Sequence, residues 1–561
     1  MCGIFSLLNN KDEITQEVIQ ESFYNGQHRG PEFSALTIVN ENVILGFHRL
    51  AINGLNTKSN QPIIYNNISL ICNGEVYNFK QLYKELNITS ITDSDCEVII
   101  HLYLAYGIEH TLHLLDGYFA FILLDSRHEI PKVFAARDAF GVRPLFSCSI
   151  NTNTGINNTI YGFASELKSL QYRNQFSSHQ VQPFKPGSYS EFVFQKDRFV
   201  PVIENKTYFM ISPSLSIDYC PFSLDQIVMG LQNTLKQAVK KRYLNTERPI
   251  ACLLSGGLDS SLITALICEL QKEHGKPPVE TYSIGFKDSD DLKYARQVAT
   301  FLGTNHHEVL LSEDTIVPYI KKVVQDIESY DVTTIRASLG NYMLGEYISI
   351  RSDAKVIFNG DGSDEVMGGY LYFSKCTNSV DYDLECRRLL QDIHLFDVLR
   401  SDRCISSHGL EPRTPFLDKA FVEYYLTIPR EIRFGISKKY GEKYLLRKAF
   451  SKEYYHKELL PENVLFRKKE AFSDGVSKQH TNFYEIVQSQ IKGYLQEDSI
   501  SEKNFYKTLF NFYYPNAFSV IPYYWMPRFI EATDPSARTL FSTKECLENK
   551  SFDDTSLDFS S

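Results

Sequence analysis

The chain has 561 residues and a mass of 64.6 kDa; 43% of residues are hydrophobic, 13% aromatic and 22% charged. At about 100–200 residues per domain, two to four domains with substantial cores are expected, and a disordered polyampholyte is excluded. The balance of 58 Lys and Arg against 68 Asp and Glu, a net −10, excludes a generally basic nucleic-acid binder.

In chain order, residues up to 205 read mainly as short strands and turns. Strands are expected at 3–8, 35–39, 43–47 and 68–71, and helices at 13–25 and 95–106, the second closed by Gly107 as C-cap. Segments 118–124 and 132–136 read as the two strands of a hairpin. The pattern is α+β, with sheets covered by helices. Residues 212–221, with two prolines and three serines, read as a linker. The rhythm then changes. Strands at 250–254, 281–286, 307–311 and 355–358 alternate with helices at 261–271 and 292–302, the latter closed by Gly303. That alternation predicts a doubly wound parallel sheet, whose ligands sit at the carboxyl ends of the strands. Residues 380–530 read as helical and aromatic-rich. The expected domains are 2–205 and 223–535, joined by a linker over 206–222 and followed by a flexible acidic tail over 536–561.

No run of about 20 apolar residues occurs, so no membrane span is expected, and the amino-terminal residues lack the signal-peptide pattern. The 11 cysteines are scattered without a CxxC pair. They read as reduced thiols of a cytoplasmic protein rather than as a disulfide framework.

Cys2 follows Met1. Alone, it is most simply a small apolar residue of the first strand. Removal of Met1, however, would give it a free α-amine, with a pKa of about 7.7–8.0, as a base on the same residue as the thiol. Other residues shift the weighing: His28-Arg29-Gly30-Pro31, Arg49-Leu50, Asn73-Gly74-Glu75-Val76-Tyr77-Asn78, Ser94-Asp95-Cys96-Glu97, Arg137-Asp138 and Ser165-Glu166-Leu167-Lys168. Together with Met1-Cys2-Gly3-Ile4 they resemble the glutaminase domain of class II, N-terminal-nucleophile amidotransferases. The resemblance implies an αββα Ntn-hydrolase sandwich that hydrolyses glutamine. Cys2 would attack the amide, and Asn73 and the Gly74 N–H would stabilise the oxyanion. Arg49 would hold the carboxylate, and Glu75 and Asp95 the ammonium end.

Leu253-Leu254-Ser255-Gly256-Gly257-Leu258-Asp259-Ser260-Ser261 follows a predicted strand and opens a helix. Small residues there admit an anion to backbone N–H groups, Ser255 and Ser260 supply hydroxyls, and Asp259 can hold Mg2+. No GxxxxGK[ST] pattern is present, which disfavours γ-phosphoryl transfer. The motif resembles the PP-loop of ATP pyrophosphatases, which cleave ATP to AMP and pyrophosphate. That resemblance implies an adenine nucleotide α-hydrolase-like sheet with added helices. ATP would bind at Leu254, Ser255, Gly256, Gly257, Asp259, Ser260, Ile284, Asn359 and Gly360. A second acidic loop, Gly360-Asp361-Gly362-Ser363-Asp364-Glu365, offers Asp364 for Mg2+, and Lys469 would meet pyrophosphate. The pair His306-His307 reads as structural rather than zinc-binding, because neighbours on a strand face opposite ways and no further ligands accompany them.

The two halves together resemble the glutamine-dependent asparagine synthetase family over roughly residues 1–530. Tyr330-Asp331-Val332-Thr333-Thr334-Ile335-Arg336-Ala337-Ser338, Gly368-Gly369-Tyr370 and Arg413-Thr414-Pro415-Phe416-Leu417-Asp418 carry the match, with Phe472-Ser473-Asp474-Gly475-Val476. The resemblance implies ATP, aspartate and glutamine as substrates, a β-aspartyl-AMP intermediate, and Thr333, Thr334, Arg336 and Tyr370 as aspartate-binding residues. A homodimer is a family-level expectation, and the charge balance and the lack of a long apolar run leave no nucleic-acid or membrane partner expected. One residue departs from it. The family has Ser-Gly-Glu-Gly-Ser-Asp-Glu where this chain has Asn359-Gly360-Asp361-Gly362-Ser363-Asp364-Glu365. The usual glutamate is a candidate base for the attacking ammonia, and Asp361 is one methylene shorter. A displacement of about 1 Å can cost on the order of 100-fold, so slower amidation or a compensating backbone shift is expected. The alternatives are an amide or lactam synthetase for another carboxylate and a catalytically impaired nucleotide-binding homologue.

Overall fold

The computed structural model describes residues 1–151, 159–172, 179–469, 475–477, 482–497, 499–532 and 534–535. In the first half the strands are β1 (Gly3–Leu8), β2 (Phe33–Asn40), β3 (Val43–Arg49), β4 (Ile63–Tyr65), β5 (Ile68–Val76), β6 (Gly117–Asp125) and β7 (Lys132–Arg137). They continue with β8 (Phe146–Asn151), β9 (Thr159–Ala164), β10 (His179–Pro183), β11 (Ser188–Gln195) and β12 (Arg198–Thr207). They build two six-stranded antiparallel sheets, ordered β10-β8-β9-β1-β3-β2 and β12-β11-β7-β6-β5-β4.

Strand alternation explains why these strands read as nearly continuous apolar runs. Ile4 and Leu8 face Ile71, Ile122 and Val133 of the other sheet. Phe5 and Leu7 point the opposite way, into a cluster with Ile19 and Phe23 of α1 (Gln16–Tyr24). Leu70, Cys72 and Phe121 likewise turn outward, in the cluster that holds Leu82 of α2 (Phe79–Leu86) and Ile99 and Leu102 of α3 (Val98–Leu114). Both sheets are thus buried on two faces.

Gly107 does not end α3 as expected. It breaks the helix with φ +75°, and helical turns resume to Leu114. Glycine takes that dihedral without steric cost, so it serves as an internal break as readily as a cap. The segment before α3 is also not one helix from residue 95: Asp95–Glu97 is a 3-10 turn.

After Thr207 the chain crosses to the second half. Leu215 N–H donates to Thr427 O at 2.9 Å, and Arg387 Nη1 donates to Ser212 O at 2.9 Å, so the crossing is fastened to the second half. There α4 (Leu224–Leu244) starts in a Ser223–Gln226 capping box. The sheet comprises β13 (Ile250–Leu253), β14 (Glu280–Gly285), β15 (Asn305–Leu310), β16 (Val356–Phe358) and β17 (Glu411–Arg413). Its order is β15-β14-β13-β16-β17 and every pairing is parallel. Connections run outward in both directions from the β13/β16 pair, which is the switch point where such sheets open a ligand crevice.

The next helices in chain order are α5 (Leu258–Glu273), α6 (Asp290–Leu302), α7 (Ile316–Ile327), α8 (Val332–Arg351), α9 (Ser363–Met367), α10 (Ser379–Asp392) and α11 (Asp397–Ser406), and further α-helices follow as far as Tyr513. Helix α5 begins at Leu258 rather than 261, so Asp259 and Ser260 lie in its first turn. Gly303 caps α6 at φ +70°, as the spacing predicts. The expected tail over 536–561 lies outside the described residues.

The halves meet through buried charge. Arg29 donates to Glu166 at 3.0 Å and to both oxygens of Asp402 at 2.8 and 3.2 Å. Arg403 donates to Glu166 and Glu328, each at 2.9 Å. Two residues of the amino-terminal motifs, Arg29 and Glu166, therefore join the domains through α11.

Candidate active sites

The first site lies where β1 and β5 face one another. Cys2 packs against the inter-sheet cluster, and its Sγ approaches Leu50 O at 3.7 Å. Burial pushes its thiol up to about 11. Burial also lowers the buried amino group, here on Met1, from 8.0 to about 5, which leaves it an unprotonated base near neutral pH. Alternation along β5 puts Asn73 and Glu75 on the same face as Ile71, toward the first sheet.

Asn73 is fully buried, and neither its amide nitrogen nor its oxygen has a hydrogen-bond partner. An orphaned buried amide is costly and rare, which marks it as a group held for a ligand. At Gly74 a Cβ would sit 2.5 Å from Tyr118 O, so no side chain fits against β6. Asp95 accepts from Val76 N–H at 2.6 Å, which ties it to the end of β5, and burial raises its carboxyl from 3.8 to about 6.

Two expected ligand residues are engaged within the protein. Glu75 Oε2 accepts from Asn53 at 2.7 Å and Asn245 at 2.8 Å and lies 3.3 Å from Arg413. Burial, then the nearby Asp95 charge, raises its pKa well above the ordinary value. Its carboxylate thus serves the domain boundary, which its strand position does not reveal. Arg49 spends its fork on Asn56 O at 2.8 Å, Asn60 Oδ1 at 2.7 Å and the carbonyls of Asn53 and Gly54. A carboxylate held there would have to replace some of these bonds.

The second site is a cleft at the carboxyl ends of β13 and β16. Leu254, Ser255, Gly257, Asp259, Ser260, Ile284, Asn359, Gly360, Asp361, Asp364 and Lys469 all line it, as do Thr333, Arg336 and Tyr370. The two acidic loops are joined directly: Ser363 Oγ donates to Asp259 Oδ1 at 2.7 Å. A buried lysine that the sequence did not single out, Lys443, bridges them, 2.7 Å from Asp259 and 2.6 Å from Asp364. Lys469 lies 2.6 Å from Asp364. Burial works against the Asp364 charge, but Lys443 and then Lys469 outweigh it and hold its carboxyl far below the ordinary range.

Gly256 does not line the cleft. It takes φ +75°, and a Cβ there would lie 2.4 Å from Ala295 N, so it lets the loop pack on α6. Thr334 is also turned away: its hydroxyl donates to Asp331 Oδ2 at 2.9 Å and its N–H to the same oxygen at 2.8 Å, as part of the α8 cap. The neighbouring Thr333 lines the cleft with a buried, unpartnered hydroxyl. Arg336, expected to bind aspartate, lines the cleft paired with Glu502 at 2.5 Å and Asp534 at 2.8 Å, so a substrate carboxylate there would compete with the protein's own acids.

Tyr370 donates to Glu365 and, at 2.9 Å, to Asp397. Glu365, which the sequence placed in the second acidic loop without a role, also lines the cleft, as do Asp397 and Arg400, which the sequence did not single out. Burial first, and then the Asp397 charge, raises the Glu365 carboxyl well above its ordinary range. His307 stacks on Tyr282 at 4.9 Å, and among the described residues no cluster of three or more metal-ligating side chains occurs.

Comparison with known proteins gives one family for each half. A model described as glutamine amidotransferase domain matches residues 1–196, and one described as asparagine synthase matches 230–383 and 377–515. The chain is 39% identical over 578 residues to the glutamine-hydrolysing asparagine synthetase of Gallus gallus, covering 98% of this chain and 100% of that one. The enzymes of the same name from Mus musculus and Homo sapiens are 39% and 37% identical over 582 residues, with 98% and 100% coverage in both cases.

Proposed function

The chain belongs to the glutamine-hydrolysing asparagine synthetases, and from that premise we propose how its two sites divide the reaction. The activity is that of a ligase making L-asparagine from L-aspartate with glutamine as nitrogen donor and ATP as energy source. We read the two antiparallel sheets of the first half, each with helices packed on its outer face, as an Ntn-hydrolase sandwich; their order and the placement of Cys2 immediately before the first strand support this. Removal of Met1 gives Cys2 its own amine, in a setting where burial keeps an amine neutral. That amine takes the thiol proton as Cys2 attacks the glutamine amide. Asn73 Nδ2 and the Gly74 N–H receive the oxyanion, and Asp95 the substrate's ammonium. The amine returns the proton to the leaving nitrogen, ammonia departs and a glutamyl thioester remains on Cys2; water then cleaves that thioester, giving glutamate and restoring the thiol.

In the cleft the aspartate carboxylate, a poor acylating group, becomes β-aspartyl-AMP with release of pyrophosphate. Ser255, Ser260 and the Gly257 N–H hold phosphate oxygens, and Lys443 and Lys469 neutralise the pyrophosphate as it leaves the α-phosphorus under attack by the aspartate carboxylate oxygen. Asp259 and Asp364 fit Mg2+, because that ion commonly takes one or two carboxylates together with substrate phosphates and needs no preformed protein cage. Bound there, Mg2+ supplies charge neutralisation to the phosphates. Ammonia then attacks the acyl carbon, Asp361 takes a proton, and AMP leaves.

The joining of the two strand-end loops through Ser363, Asp259 and Lys443 carries this reading, since it builds one polyanion site at the sheet's switch point. The test is an assay of purified protein with ATP, Mg2+, aspartate and glutamine in which asparagine, AMP, pyrophosphate and glutamate are measured together. Asparagine and AMP in equal amounts are expected. AMP or glutamate without asparagine would overturn it in favour of an impaired or differently specific enzyme.

We place the enzyme in the cytoplasm as a homodimer. The described cysteines are all unpaired, and among the described residues no helix is long and apolar enough to cross a membrane. Light scattering, reading one chain mass or two, checks the dimer.

A further inference from the structure

Asp361 is gripped at one end only. Arg400 Nη2 donates to Asp361 Oδ1 at 2.9 Å and to Asp397 Oδ1 at 3.0 Å. The second oxygen, Asp361 Oδ2, is buried without a hydrogen-bond partner. Both Asp361 and Arg400 line the cleft. Arg400 in turn has little freedom. It stands in the first turns of α11, and its neighbour Ser401 accepts from Asn359 Nδ2 at 2.8 Å, so one helix holds the loop at residue 359 and at residue 361. The next residues, Asp402 and Arg403, lock α11 into the buried charge network with Arg29, Glu166 and Glu328.

A carboxylate with one oxygen fixed has its plane and its other oxygen set by that contact, and a guanidinium is a rigid donor suited to the task. This bears on the departure from the family pattern. Asp in place of Glu forfeits about 1.5 Å of reach, the length of one C–C bond. A side chain with fewer rotatable bonds is also easier to aim.

We propose that Arg400 is the positioning residue for Asp361, tying down Oδ1 so that Oδ2 is presented to the attacking ammonia. This rests on the reading of the cleft given above. In the step, a C–N bond forms at the aspartyl carbonyl and the C–O bond to AMP breaks. AMP leaves with that electron pair, and one N–H proton passes to Asp361 Oδ2. Arg400 touches none of the reacting atoms. Asp397, on the far side of the same Nη2, keeps the guanidinium from being drawn wholly onto Asp361.

The test is a double-mutant cycle on the full-length enzyme, with ammonium chloride as nitrogen donor and asparagine and AMP measured together. Asp361→Asn and Arg400→Gln are each expected to lower asparagine formation on the order of 100-fold, with the KM for ATP within about twofold of the parent. If Arg400 acts through Asp361, the double variant is no slower than either single one, instead of about 10,000-fold slower as additivity would give. Arg400→Lys, which keeps a cation, is expected to recover part of the rate.

Additive losses, or an asparagine rate unmoved by Arg400→Gln, would overturn the proposal. So would losses of AMP and asparagine in equal proportion with a raised KM for ATP. Glutamine hydrolysis at the other site reports folding of each variant. Should Arg400→Gln not fold, the cycle between Arg400→Lys and Asp361→Asn decides by the same criterion. A parent enzyme that makes no asparagine from ammonia would sink the reading of the cleft itself, whereas an additive cycle in an active enzyme sinks only the role of Arg400.

Discussion

The two sites prepare for their substrates in opposite ways. In the first half, polar groups wait unpaired or with their charged form disfavoured: Asn73 has no partner, and burial raises both the Cys2 thiol and the Asp95 carboxyl. In the cleft, charge is already neutralised by charge, with Lys443 and Lys469 on Asp259 and Asp364 and Arg400 on Asp361 and Asp397. The difference follows the chemistry. An amide develops one negative oxygen only during reaction, and a single orphaned donor serves it at tolerable cost. A triphosphate with its metal carries several charges before reaction. A pocket ready for it would be unstable when empty unless its lysines and aspartates paired with each other.

The largest break in that comparison comes at the nucleophile. Cys2→Ala is expected to lower glutamine-dependent asparagine synthesis by at least about a thousandfold while ammonia-dependent synthesis persists. Comparing the two nitrogen donors in one preparation checks this, and equal loss with both would refute a site confined to the first half. Asn73→Ala should follow, with glutaminase kcat reduced about 100–1,000-fold and ammonia use unchanged. Because the Asn73 amide has no partner to lose, its removal is also expected to leave the thermal midpoint unchanged or higher.

Lys443→Met tests the opposite strategy. It leaves Asp259 and Asp364 facing each other beside Lys469 alone, 4.0 and 2.6 Å away. Breaking a buried ion pair on one side costs about 3–5 kcal/mol, so here stability itself should fall, in contrast to Asn73→Ala. A denaturant midpoint at the parent's value would show that the lysine does not hold the loops.

These residues also mark where sequence patterns stop being informative. The two glycine-rich loops were legible because each follows an apolar strand, and the parallel order put both at the switch point. Cys2, Asn73 and Asp95 were legible as a set of short motifs. Lys443 was not. It stands alone in a Gly441-Glu442-Lys443 turn, and it reaches Asp259 across 184 positions, adopting φ +56°. Arg400 and Asp397 look like ordinary polar residues of a helix. Glu75 and Arg336 were read as ligand residues from their motifs, and local sequence does not show that Arg413, Glu502 and Asp534 lie against them.

Acid should separate the two sites by a smaller margin. Asp95 titrates at about 6 against an ordinary 3.8, because burial disfavours its charge. Above that value it is ionised and holds the glutamine ammonium; below it the KM for glutamine should rise several-fold. The KM for ATP should stay level, since Lys443 and Lys469 keep Asp364 ionised throughout. The same shift has a sign for stability. Between the two values the folded chain keeps a proton that the unfolded chain has released, so Asp95 withdraws stability as pH rises from 3.8 through about 6. A KM for glutamine that is flat across this range would remove Asp95 from the ammonium site.

The finest distinction lies between two adjacent threonines. The Thr334 hydroxyl is spent on Asp331, which keeps the N–H groups of Thr334 and Trp525 when that hydroxyl is lost. Thr334→Val should therefore cost about 1 kcal/mol of stability and leave the KM for aspartate where it was. Thr333 has no such partner and faces the cleft, so Thr333→Val should leave stability unchanged and raise the KM for aspartate. The two substitutions remove the same atom one position apart. Helix α8 turns about 100° between them, one hydroxyl toward its cap and the other toward the cleft. If Thr334→Val instead shifted the KM for aspartate and Thr333→Val did not, the hydroxyl turned toward the Asp331 cap would be the one that meets the substrate.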